Sequence, residues 1–107
     1  MESRIVQVRS VLNRLLDRNG GAPRHGKFWD LPRDQFVAGP IYGRVPIVPG
    51  HPDQSFLIQI LSGPVGSINR MPLGGPFIEP SDLAFIVQWI VDGAPDASAD
   101  FMAEFNK

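Results

Sequence analysis

The chain has 107 residues, enough for one compact domain, and its 43% hydrophobic content supports a buried core rather than a disordered tail. A formal net charge of -1 gives no broad pull toward nucleic acid or an anionic membrane. With no cysteine, disulfides, thiolate metal sites and cysteine catalysis are excluded together.

Ile5, Val8, Leu12 and Leu15 recur at spacings of three and four, and Val11 and Leu16 widen the stripe. Arg4, Arg9, Asn13, Arg14 and Asp17 fall on the other face. This periodicity predicts an amphipathic helix over 3–18, ended by Asn19-Gly20-Gly21. No apolar h-region precedes it, so no secretory signal is read here. No stretch approaches the ~18 apolar residues of a membrane span. The expectation is a cytoplasmic protein.

Residues 20–53 are rich in the chain's eleven glycines and eleven prolines. They predict a long ordered loop with one short helical turn over 33–37. Phe28, Trp29, Phe36 and Tyr42 predict that this loop packs onto something apolar. A second helix is expected over 54–61, burying Phe56, Leu57, Ile60 and Leu61, with Asp53 and Ser55 as its N-caps and Gly63-Pro64 as its stop. A second loop follows, centred on Arg70-Met71-Pro72. A third helix is expected over 80–91, with Pro80 in the first helical position. Leu83, Ile86, Val87, Trp89 and Ile90 make it nearly apolar all round and therefore central. Glu79 and Asp82 suit its N-terminal dipole, and Gly93 and Pro95 end it. The domain is assigned to residues 1–95. Residues 96–107, with Phe101, Met102 and Phe105 at helical spacing, form a tail or docking helix.

Three ordered stretches carry a resemblance: Ile47-Val48-Pro49-Gly50-His51-Pro52-Asp53-Gln54-Ser55-Phe56-Leu57, then Arg70-Met71-Pro72-Leu73-Gly74-Gly75-Pro76, then Trp89-Ile90-Val91-Asp92-Gly93-Ala94-Pro95. Together they resemble the cytochrome c-like domains of large planctomycete-type proteins, over nearly the whole chain. The resemblance implies an all-α cytochrome c-like fold of three main helices joined by long loops. The family's haem motif, Cys-x-x-Cys-His-Gly, follows its first helix. Here that place holds Gly21-Ala22-Pro23-Arg24-His25-Gly26. The His-Gly pair matches, and both cysteine positions are lost, to Gly21 and Arg24. By the same resemblance, His25 and Met71 stand where the family has its two axial iron ligands. Arg70 and Trp29 join them as candidate cofactor contacts.

Two readings follow. In the first, the domain holds haem without covalent bonds, ligated by His25 and Met71, and passes single electrons to a partner enzyme or larger complex. In the second, the fold has lost haem and refilled the space with aromatics. Phe28 and Trp29 stand where the family has a small residue and an aliphatic one. An unpaired Arg24 beside a haem edge would be costly. Such a haem-free module would bind a protein or a small ligand. A weaker alternative is copper held by His25, Met71 and His51, whose ligand types suit that metal. No Ser/His/Asp set, phosphate loop or hydrolase motif is present, so the chain is read as a redox or accessory partner rather than an enzyme. Two surfaces are candidate partner sites: the loop edge at 64–71 and the stripe of Phe101, Met102 and Phe105.

Overall fold

The computed structural model describes residues 3–19, 27–72 and 76–96, and these are all-α. Helix α1 spans Arg4–Asn19, α2 Arg33–Ala38, α3 Phe56–Ser62 and α4 Pro80–Val91. Short 3-10 turns occupy Phe28–Asp30 and Pro52–Gln54. Among the described residues the only β pairing is two isolated bridges, Ile41 with Arg44 and Val65 with Ile68, each closing a tight turn. No helix among them is long and apolar enough to cross a membrane.

The apolar stripe of α1 is buried as its spacing requires: Ile5, Val8, Val11, Leu12 and Leu15 all lie in the core. The face opposite is only partly a solvent face. Arg9 donates from Nε to the carbonyl of Trp29 at 2.7 Å and from Nη2 to that of Leu31 at 2.8 Å. Asn13 Oδ1 accepts the indole N–H of Trp29 at 3.0 Å. Residues four apart lie on one side of a helix, so Arg9 and Asn13 together clamp the 28–30 turn against α1.

The long loop is more structured than expected. It contains the Phe28–Asp30 turn, α2 and the 41–44 hairpin turn, whose central residues Tyr42 and Gly43 both have positive φ (53° and 71°), as a type I′ turn needs. Phe28, Trp29 and Phe36 are buried in the core. Tyr42 is not: it is 46% exposed and meets the Phe56 ring edge-on, with centroids 6.3 Å apart. The turn conformation at Tyr42 sets that outcome.

The second helix begins two residues later than the sequence suggests, because 52–54 forms a separate 3-10 turn. Its capping also differs. The Ser55 side chain does not cap α3. Its hydroxyl, fully buried, accepts the Val48 N–H at 2.8 Å and donates to the His51 carbonyl at 3.0 Å. The first free N–H groups of α3, on Phe56 and Leu57, are taken by the carbonyls of Val45 and Pro46 at 3.1 and 3.0 Å. Asp53 is exposed and likewise makes no side-chain cap. Replacing Ser55 with Ala therefore leaves the Val48 N–H without its acceptor. Chemical denaturation should show a loss of about 1–3 kcal/mol. A loss under about 0.5 kcal/mol, the size of an ordinary surface change, would contradict this role.

Helix α4 packs against α1 and α3. Pro80 opens it as expected, and Ile86, Trp89 and Ile90 are fully buried. The N–H groups of Asp92, Gly93 and Ala94 close the carbonyls of Gln88, Ile90 and Trp89 locally, and distant groups add to this end. Gly50 N–H bonds the Ile90 carbonyl at 2.7 Å. The Arg33 guanidinium reaches the carbonyls of Ala94 and Gly93 at 2.9 and 3.0 Å, a cation where the helix dipole favours one. Beside it, Arg4 donates to Asp92, joining the start of α1 to the end of α4. That hydrogen bond holds the Asp92 carboxyl below its ordinary value of 3.8. A lowered folded-state value means the contribution is present above 3.8 and is lost as pH falls through the folded value. Asp92→Asn should flatten the acid limb of the stability curve slightly and leave stability at pH 7 almost unchanged, since both partners are partly exposed. An unaltered acid limb would remove the pair from the stability balance.

Candidate functional site

An apolar pocket lies where α1, α3 and the two loops meet. From α1 come Leu12, Leu15 and Leu16; from α3 come Phe56, Leu57, Ile60 and Leu61. Phe28 and Trp29 form one side wall, Ile41 and Tyr42 another, and Met71 and Pro72 the remaining edge. The pocket is partly open to solvent and has a cavity volume of about 100 Å³. Trp29 turns its one polar atom out of the pocket's chemistry by giving its N–H to Asn13.

The wall at Phe28 and Trp29 is the end of a run of touching rings. Phe28 meets Trp29 edge-on at 5.2 Å and Phe36 at 5.8 Å, and Phe36 stacks on Trp89 at 5.7 Å and 26°. The aromatics expected to fill the space thus form one side of it and leave the pocket open.

Met71 reaches the pocket because of how α3 ends. The last carbonyls of a helix have no partner inside it. Here the Ile60 carbonyl accepts the Met71 N–H at 2.9 Å, and the Leu61 carbonyl accepts Arg70 Nε at 3.0 Å. Arg70 also lies over the Phe77 ring, 4.0 Å from its centroid. Both adjacent residues are tied to the same helix end, which sets Met71, half-buried, at the pocket's edge.

Of the four residues singled out from the sequence, Met71 and Trp29 line the pocket. Arg70 is not among its described lining residues and acts on the backbone behind Met71. His25 lies outside the described residues, as do Arg24 and the stripe of Phe101, Met102 and Phe105. His51 is exposed and is not among the described residues lining the pocket. Among the described residues no group of three or more His, Asp or Glu gathers as a metal site would require. Arg9 and Asn13, which position the Trp29 wall, were legible only as polar residues four apart on α1. Comparison with protein-family models, with curated proteins and with solved structures finds no match to the chain.

The lining chemistry fits a flat, largely apolar group that also accepts a soft ligand. Hydrocarbon and aromatic faces make up the walls, and the thioether of Met71 is the one soft donor among the described lining residues. On size, the cavity volume of about 100 Å³ falls below the ~300 Å³ at which ligand pockets generally begin. A group as large as haem would extend beyond it through the open side.

Proposed function

We propose that this is a cytochrome c-like domain that binds haem noncovalently and exchanges single electrons with a protein partner. The observation that supports this most is Met71, held by the C-terminal carbonyl of α3 at the edge of an apolar pocket. Met71 would be one of the residues holding the haem iron. His25, three residues before the pocket-lining Phe28, would be the other. Leu12, Leu57 and Ile60 would cover the apolar faces of the group. Bound there, haem would supply reversible one-electron chemistry, at a potential that a His/Met ligand pair raises. The protein's own part would be to shield the group with its apolar walls and to fix the backbone at Met71 through Arg70 and the end of α3. A partner would dock at the loop edge over 64–71, which ends at the pocket-lining Met71.

Haem titration of the purified protein tests this. A saturable Soret band is expected. Met71→Ala should fold, still bind haem, shift the visible spectrum and lower the potential. No Soret band in a chain with intact helicity and a cooperative melt would sink the haem reading. An unchanged spectrum in Met71→Ala would remove Met71 from the ligand set.

The second reading, a haem-free module of the same fold, is favoured by a different observation. The pocket's cavity volume is only about 100 Å³, small beside the ~300 Å³ at which ligand pockets generally begin. Under that reading the domain serves as an accessory or small-ligand-binding unit.

A further inference from the structure

We propose that this pocket, in the chain without haem, is a binding site for a small neutral apolar molecule of about one aromatic ring. This goes beyond the haem reading, since it needs only the pocket and not the iron ligands.

The size is right for such a guest. A volume of about 100 Å³ is several times the ~10–15 Å³ that one water needs, and approaches the ~150 Å³ of an engineered apolar cavity that stays dry and takes up benzene. The lining is wrong for water. A buried water wants two to four polar partners, and the floor here is made of Leu12, Leu15, Leu57, Ile60 and Leu61. The indole N–H of Trp29 is already given to Asn13. Empty or wet, the lining forfeits dispersion contacts that a ring would restore. Phe28, Trp29 and Phe56 add edges and faces for offset or edge-on ring contacts. A charged ring would have to shed its hydration against a lining that holds no charged side chain to replace it. The site therefore selects neutral, single-ring or similarly sized branched-alkyl molecules, and the open mouth gives them entry.

The test is a titration of haem-free protein with benzene, read by methyl NMR. Ring-current shifts should saturate at Leu12, Leu15, Leu57, Ile60 and Leu61, and stay small at Ile86 and Ile90, which are buried but do not line the pocket. Benzylammonium, the same ring carrying a charge, should bind at least tenfold more weakly. Leu16→Phe places a ring at the pocket's wall and should weaken benzene binding at least tenfold. Non-saturating shifts, shifts of equal size throughout the core, or equal affinity for the charged ring would each overturn the proposal. Unchanged affinity in a folded Leu16→Phe would do the same. If that variant does not fold, the shift map of the unaltered protein decides. The two proposals fail separately: a chain with no Soret band that binds benzene keeps this one and loses haem, and a chain that binds haem but not benzene does the reverse.

Discussion

Trp89→Ala should lower stability by about 3–5 kcal/mol, the cost of emptying a large buried aromatic site. In a domain of this size that corresponds to a fall in melting temperature of about 12–20 °C. Trp89 is fully buried, and three separate losses fall together. The void is large, the stacked contact with Phe36 disappears, and the Pro95 carbonyl loses the indole N–H that it accepts at 3.0 Å. Trp89→Phe keeps most of the ring and loses the hydrogen bond, so it should cost about 1–2 kcal/mol. Calorimetry on the two variants separates packing from hydrogen bonding. Similar losses in both would mean that the bond to Pro95, rather than the ring, dominates. The consequence reaches the site, because Phe36 backs Phe28 and Phe28 backs Trp29. Trp89→Ala should therefore weaken whatever the pocket binds, without touching a residue that lines it.

Gly39→Ala should be almost as damaging, at about 2–6 kcal/mol from two independent causes. At φ 65° and ψ -132° the backbone sits where side chains are strained, worth about 1–3 kcal/mol. A Cβ there would also lie 2.5 Å from Cδ of Pro46 and 2.9 Å from its Cγ. Pro46 cannot simply withdraw. It is fully buried, and its carbonyl accepts the Leu57 N–H in the first turn of α3. Overpacking of this kind adds about 1–3 kcal/mol. Gly43→Ala is the matched control: its φ is also positive, at 71°, but nothing lies within 4 Å of the added carbon. It should cost only the backbone strain, about 1–2 kcal/mol. Denaturation midpoints compare the two directly. Equal losses would show that the contact with Pro46 relaxes freely. Gly39 matters to function because the segment it starts carries Ile41 and Tyr42 into the pocket wall.

The parts of this chain that could be read in advance are those governed by local periodicity. Helix α1 follows from Ile5, Val8, Leu12 and Leu15, and α4 from Pro80 and the apolar run around Trp89. The buried set of α3 was legible for the same reason, although its start was not: Pro52 favours a tight turn, and the helix begins only when the carbonyls of Val45 and Pro46 arrive to meet it. Ser55 shows the limit most clearly. A serine just before a helix is the usual cap, and nothing local reveals that Val48, seven residues back, claims its hydroxyl instead. Tyr42 is similar, since its exposure depends on a turn whose closure joins Ile41 to Arg44.

The sequence by itself determined an all-α chain, a core built on α1, α3 and α4, the absence of any thiol chemistry, and Met71 as a residue to watch. The first three depend on composition and on spacings of three and four, which neighbouring residues set among themselves, and Met71 rests on the resemblance of its motif alone. Only the tertiary structure decided where Met71 sits, that Arg70 works behind it on the end of α3, and that Arg9 and Asn13 build the Trp29 wall. It also decided that Phe28 and Trp29 bound a pocket rather than close it. A cavity is the space left between elements far apart in the chain, and so is the choice of partner for each unpaired carbonyl at a helix end. Neither is written in any one segment, because each depends on which distant groups arrive at the same place.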